Sequence, residues 1–374
     1  MSIKSLIQAE FNLSSNITYL NHAAVAPWPN STTKVITDFA HENNIYGATY
    51  YPKWNKVEQS LRQNLAELIN AQSSDDIALV KNTSEALSMV AYGLEWKTND
   101  NIVISDEEFP SNRIVWESLA DKQVNVKQVS LNSTPEDALI AACDSNTRLL
   151  AISSTQYSSG ITLDLVKLGQ ACKDKGILFC VDAIQTIGAL QFDVQKIQAD
   201  FVMADGHKWM LAPEGLALFY SSSNIRSQLK LNEFGWHMVE DLYNFTSKDW
   251  IAASTGRRFE CGSPNMLAIH GLNASVRLLL EIGMDKVEKH LLERIQYFFE
   301  LLNKNQDVRI VTPQKEGQFA GIINFYHIER DNNALFEHLW SNKVICAQRG
   351  KGIRFSPHFY TDLDSIKAAT ELLK

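Results

Sequence analysis

A chain of 374 residues is longer than one typical domain, so it is expected to divide into a large unit and a smaller one. Its net charge of -8 argues against a nucleic-acid binder, which needs clustered Lys and Arg, and leaves a small molecule as the expected partner. Hydrophobic residues at 45% and charged residues at 21% exclude a disordered chain.

Cys143, Cys172, Cys180, Cys261 and Cys346 stand far apart without CxxC spacing. Their odd number leaves no complete disulfide framework, which predicts reduced thiols and a cytoplasmic protein. Residues 1–15 are polar where a signal peptide needs an apolar block, and no run approaches the length of a membrane span. Neither export nor a membrane partner is expected.

From about residue 75 to 220, short β-branched apolar runs alternate with stretches of helical spacing, the pattern of a parallel sheet covered by helices. Strands are predicted over 101–105, 124–129, 148–153, 177–182, 201–204 and 216–220, and helices over 112–122, 135–143 and 163–175. From 264 to 303 the pattern stays helical, with Gly283 as the break between two helices. The runs 321–327 and 343–347 and a last helix from Leu363 suit a small α+β unit. The expected fold class is α/β, with a mainly parallel sheet flanked by helices in a large domain over 20–280. A small α+β domain takes 1–19 and 281–374.

Ligands of open parallel sheets collect outside the carboxyl ends of the strands. Two such ends carry chemistry: Asp182-Ala183-Ile184-Gln185 and Asp205-Gly206-His207-Lys208-Trp209. Pyridoxal phosphate needs a lysine amine for its aldehyde and a carboxylate that keeps its ring nitrogen protonated, and Lys208 and Asp182 supply those groups. The apolar residues Trp209, Met210 and Leu211 would desolvate the lysine and favour its neutral form. Taken singly, Asp182 also reads as a helix cap and Lys208 as a solvated loop lysine. The turn Asn82-Thr83-Ser84-Glu85 opens a helix whose free amides suit an anion, with Thr83 and Ser84 as phosphate contacts; an ordinary cap is the alternative.

The segments Val181-Asp182-Ala183-Ile184-Gln185 and Ala204-Asp205-Gly206-His207-Lys208-Trp209-Met210-Leu211-Ala212-Pro213-Glu214-Gly215 resemble the aminotransferase class V family of fold-type I pyridoxal phosphate enzymes. That family includes cysteine desulfurases, selenocysteine lyase, kynureninase and isopenicillin N epimerase. The resemblance runs from Tyr19-Leu20-Asn21-His22-Ala23-Ala24 to Ile353-Arg354-Phe355-Ser356-Pro357-His358. It implies that Lys208 forms the imine, that Asp182 partners the ring nitrogen and that Gln185 donates to the ring hydroxyl. His207 takes a place beside the phosphate, and Phe109 the place of a ring stacked on the cofactor. Arg257 to Asn265 resembles a stretch that reaches the neighbouring subunit's phosphate, which implies a homodimer with Ser263 as the reaching hydroxyl.

An amino-acid substrate needs its carboxylate gripped, which a planar guanidinium does best. Arg354 stands where the family keeps such an arginine; Arg349 either assists or faces solvent. Asn21 and His22 are implied near the substrate, a turn and a cap being the alternative. Asp205 replaces the family's phosphate-binding Ser or Thr, and repulsion of the dianion predicts that it points away, to pair with a cation or bind backbone amides instead. No metal site is expected.

The sequence thus predicts a pyridoxal-phosphate-dependent enzyme acting on an amino acid by transamination, epimerisation or β/γ-elimination. A cysteine desulfurase or selenocysteine lyase is the alternative. It is weakened because Cys346 sits in an apolar run without the flanking Gly and His of the desulfurase loop, and because residues 350–358 look more like the epimerase and kynureninase side. A catalytically inactive binding partner of the same fold is the alternative from another class; the set Lys208, Asp182, Gln185 and Arg354 speaks against it. A nucleotide-binding protein is set aside, since neither GxGxxG nor GxxxxGK[ST] occurs in the needed context.

Overall fold

The computed structural model describes residues 3–131 and 133–374. The strands in chain order are β1 Thr18–Tyr19, β2 Ile77–Val80, β3 Asn101–Ser105, β4 Asn125–Val129, β5 Thr147–Ser153, β6 Leu178–Asp182, β7 Phe201–Asp205 and β8 Ala217–Ser221. They continue with β9 Val308–Ile310, β10 Ile323–His327, β11 Val344–Ile345, β12 Ala347–Arg349 and β13 Gly352–Phe355. A seven-stranded sheet has the order β2-β8-β7-β6-β5-β3-β4, and only β8 runs against its neighbours.

Both faces of this sheet are covered, and the alternation of side chains along each strand shows it. Val103, Leu150, Ile152, Phe179, Val181, Val202 and Leu218 enter one core, with Leu61, Leu65, Leu168, Ile269 and Leu272 from helices. Their neighbours Ile102, Ile104, Leu149, Ala151, Phe201, Met203 and Phe219 enter a second core on the other face, with Leu87, Val90 and Trp116. A side chain of this kind, fully buried, contributes roughly 1.5–3 kcal/mol relative to exposure, so two filled faces fix the sheet.

The predicted helix over 112–122 is shorter, Ser111–Glu117, because the backbone turns at Ser118 and Leu119 before a 3-10 turn over Ala120–Lys122. The long helical stretch divides into Met266–Ile282 and Met284–Leu302 at Gly283, whose φ of 91° an L side chain rarely adopts. Beyond it, a four-stranded antiparallel sheet has the order β12-β13-β10-β9, and β1 pairs with β11 in parallel. A third core joins this region to the large sheet's edge: Phe298, Phe325, Ile353 and Phe355 belong to it together with Leu20, Trp209 and Leu211. The residues that follow Lys208 are therefore packed from the far part of the chain. No helix among the described residues is long and apolar enough to cross a membrane.

Candidate active site

Lys208 lies in a tight loop that begins where β7 ends. Ala212 N–H donates to the Gly206 carbonyl at 2.9 Å, Leu211 N–H donates to the Lys208 carbonyl at 3.0 Å, and Gly206 N–H donates to Leu216 at 3.0 Å. Leu211 takes a φ of 62°, a strained value for a leucine, held by its full burial. Gly188 packs beneath: its φ is 93°, and a Cβ there would come within 2.4 Å of the Trp209 carbonyl oxygen. The Trp209 indole donates to Gln185 Oε1 at 2.9 Å, and Gln185 Nε2 donates to the Ala23 carbonyl at 3.1 Å. One hydrogen bond thus ties the lysine loop to the turn after β6.

Strand β6 pairs with β7, Asp182 lying opposite Met203, so the carboxylate and the amine emerge at the same edge of the sheet. Burial pushes the Asp182 carboxyl up to about 7, against one hydrogen bond from the Ile184 amide at 3.1 Å. Burial pulls the Lys208 ammonium down to about 8, with Asp182 opposing and Arg354 reinforcing the shift. Both groups line a cavity of about 270 Å³ with Thr83, Ser84, Phe109, Gln185, His207, Arg349 and Arg354. Lys208 Nζ stands 5.8 Å from the centre of the Phe109 ring, which meets Tyr157 edge to face at 5.1 Å. Three other hollows are larger: those of about 690 and 870 Å³ are lined by no buried charged side chain, and one of about 350 Å³ includes the buried Glu58, which Arg62 pairs.

Arg354, on β13, reaches this cavity while 2% exposed. Its Nη1 donates to the Tyr157 carbonyl at 2.8 Å and Nη2 to Asn21 Oδ1 at 3.5 Å, while Nε has no partner. Among the described residues no carboxylate forms an ion pair with it, and burial with the nearby Arg349 lowers its basicity to about 9. A desolvated guanidinium without an anion is costly unless a ligand supplies one.

His22, Asn21 and Asp205 fall elsewhere than the sequence reading placed them. His22 is fully buried with Nδ1 2.8 Å from the Ser356 carbonyl and Nε2 2.7 Å from the Tyr360 hydroxyl, and burial lowers it to about 4. It forms part of an aromatic cluster with Trp209 and His358, outside the cavity lining. Asn21 backs Arg354 and does not line the cavity. Ser263 is exposed and lies outside the cavity of its own chain. Asp205 does not point away: it lines the cavity and accepts the Thr83 amide at 3.2 Å. Thr83 sits on a helix start, so the amide fixes a carboxylate that repulsion alone would turn aside.

Tyr157, Ser111, Ser153 and Glu214 also line the cavity, and the sequence reading did not include them. The signal for Tyr157 was present, since Ser154 to Gly160 is a polar run following β5, a strand end like those of Asp182 and Lys208. Behind Phe109, the buried Glu108 accepts from Ser153 N–H at 2.9 Å, Gln156 Nε2 at 3.0 Å and Asn112 Nδ2 at 2.8 Å. Burial raises its carboxyl despite these donors, and the network pins the Phe109 loop to β5. Away from the cavity, ligand atoms of Glu58, His237 and Glu260 converge within 4.8 Å, but Arg62 donates to both carboxylates and offsets part of their charge.

A helix-covered parallel sheet with a desolvated amine and a buried carboxylate at its carboxyl edge, met by a buried guanidinium from β13, is the arrangement of an α/β enzyme. The family Aminotransferase class-V matches residues 18–360. A probable cysteine desulfurase of Methanothermobacter thermautotrophicus is 27% identical over 381 residues, covering 95% of this chain and 94% of that one. The apo structure of a cysteine desulfurase from Thermococcus onnurineus superposes with a TM-score of 0.88 at 22% identity, over 99% of this chain and 97% of that one. A mutant of C-DES with glycine covalently linked to its PLP cofactor gives a TM-score of 0.89 at 21% identity, over 96% of each chain. The chain belongs to the aminotransferase class-V family, whose members are pyridoxal-phosphate-dependent enzymes.

Proposed function

We propose that the protein binds pyridoxal phosphate in the cavity around Lys208 and acts on the α-carbon of an amino acid. The observation that carries this is the buried Arg354, without a carboxylate of the protein opposite it, in one cavity with the perturbed pair Asp182 and Lys208. The donor set fits the group: an amine of lowered basicity, a buried carboxylate for a cationic ring nitrogen, an aromatic side chain and a helix start. The buried Thr83 hydroxyl has no partner at the end suited to the phosphate, although Asp205 adds a negative charge there.

When bound, pyridoxal phosphate supplies an electron-accepting ring that stabilises negative charge at the substrate α-carbon. Lys208 would hold the aldehyde end of the group and would move a proton at its Nζ, a role suited to an amine whose basicity burial lowers to about 8. Asp182 would keep a ring nitrogen cationic, and its own buried charge would be favoured by that pairing. Arg354 grips the substrate carboxylate and thereby orients the α-carbon, while Phe109 covers a ring face. Asn21 and Tyr157 position Arg354. We further propose a division into units 20–280 and 1–19 with 281–374, and a homodimer in which the exposed Ser263 faces the partner's cavity.

Transamination, epimerisation and elimination share these steps. Release of sulfur to a cysteine of this chain is the second reading, supported by relatives named cysteine desulfurases. Against it, no cysteine lines the cavity, and burial pushes the Cys346 thiol up to about 12, where it is a poor nucleophile. The test is reconstitution with pyridoxal phosphate, borohydride reduction and mass mapping of the label. Label on Lys208 supports the reading, and label on surface lysines alone overturns it. Amino acids are then screened for spectral shifts and for sulfide, alanine, oxo-acid or inverted stereochemistry as product.

A further inference from the structure

The cavity carries a negative charge of the protein's own at the helix start suited to an anion. The helix Thr83–Gly93 begins there, capped by Asn82, whose side chain takes the Glu85 amide at 2.9 Å. Its first amide, Thr83 N–H, donates to Asp205 Oδ2 at 3.2 Å. Asp205 is 7% exposed, and its other oxygen, Oδ1, is buried without a hydrogen-bond partner. His207 Nδ1 stands 3.5 Å from that oxygen, outside hydrogen-bond geometry, and the Thr83 hydroxyl is likewise buried and unpartnered. In the resting protein a carboxylate therefore takes a donor that a phosphate would take, and the helix dipole favours it there. Two anions drawn to one donor repel each other at short range, most strongly where water is excluded.

We propose that Asp205 sets the affinity of the phosphate end: its carboxylate competes with a cofactor phosphate for the Thr83 amide, so phosphorylated cofactor is held more loosely than the same cavity would hold it without that charge. This rests on the reading of the cavity as a pyridoxal phosphate site. Asp205→Asn keeps an oxygen for the Thr83 amide and nearly the same volume, and it removes the charge alone.

Cofactor-free wild type and Asp205→Asn are titrated with pyridoxal phosphate and, separately, with pyridoxal, which lacks the phosphate; tryptophan fluorescence reports binding. The expected result is that Asp205→Asn binds pyridoxal phosphate at least about tenfold more tightly and pyridoxal within about twofold of wild type. Unchanged or weaker binding of pyridoxal phosphate by a folded variant overturns the proposal, as does equal tightening toward both ligands. Asp205→Ser supplies the same comparison if the asparagine variant does not fold. Wild type that takes up pyridoxal phosphate while the variant gains nothing defeats this inference alone, whereas wild type that takes up neither ligand defeats the cofactor reading with it.

Discussion

Asp182 ends β6 and Lys208 follows β7, its paired neighbour, so a carboxylate and an amine are buried at one sheet edge with their ordinary pKa values drawn toward each other, to about 7 and about 8. Burial disfavours both charges, and each charge partly restores the other. A group that must hold an aldehyde and then move a proton near neutral pH needs this compromise.

Lys208→Ala is expected to fold, because the amine lies in a cavity and carries no structural hydrogen bond in the loop. Turnover should fall at least about 10³-fold, and borohydride should leave no label in the site. In wild type, capture of the cofactor aldehyde should rise with pH through about 8 as the ammonium loses its proton. Stopped-flow absorbance across pH 6.5 to 9.5 measures the slope, and a flat profile would count against Lys208 as the capturing amine.

Asp182→Asn separates function from stability. The folded carboxyl titrates near 7 against 3.8 for the free side chain, so the folded cofactor-free protein binds a proton that the unfolded chain releases. The Asp182 contribution is thus fully present below about pH 4 and is lost as the pH rises through about 7. The variant should match wild type near pH 4 and exceed it at pH 8 by on the order of 1–3 kcal/mol, read by urea unfolding of the cofactor-free forms. Activity should fall about 10²-fold or more, because the ring charge loses its partner.

Arg354→Met should raise KM for the amino acid about 10²-fold, as expected when one member of a buried charge pair is removed, with a smaller change in kcat. The cofactor-free variant should be more stable than wild type by roughly 1–2 kcal/mol, since it no longer buries a guanidinium without an anion. Steady-state kinetics and thermal unfolding read the two signs separately. A lower melting temperature together with an unchanged KM would remove the carboxylate-gripping role.

Cys346→Ala should keep turnover within about twofold while lowering stability by about 1 kcal/mol through the small void left in a core that Cys346 shares with Phe325 and Ile353. Loss of sulfide release with cofactor binding intact would restore the thiol as a sulfur acceptor.

Gly321→Ala tests the support of the lysine loop. A Cβ at Gly321 would lie 2.1 Å from Trp209 Cη2, so the indole must move and its hydrogen bond to Gln185 must break. Overpacking of this kind costs roughly 1–3 kcal/mol, and the displaced loop should lower activity without changing the chemistry of Lys208. Calorimetry and turnover together measure it.

The repeating apolar strands and their polar ends were legible along the chain, which is why reasoning from strand ends leads to Asp182, Gln185 and Lys208. Tyr157 obeys the same rule, but its polar run holds no carboxylate or amine to mark it. Glu108 carried no local signal: it reads as one of two surface glutamates after β3, yet its donors come from Ser153 and Gln156 on a neighbouring strand end. The resemblance places His22 near the substrate, whereas its ring is fixed by Ser356 and Tyr360, over three hundred residues away.

The sequence by itself determined the alternation of strands and helices between about 75 and 220 and which residues stand at the carboxyl edge of the sheet, because these follow from burial that alternates every two or every three to four residues. Only the tertiary structure decided that Arg354 enters the Lys208 cavity without a carboxylate opposite it, that His22 turns inward and that Asp205 faces a helix amide. The direction of a side chain at an element's end is set by what packs against it from distant parts of the chain, and no local preference carries that information.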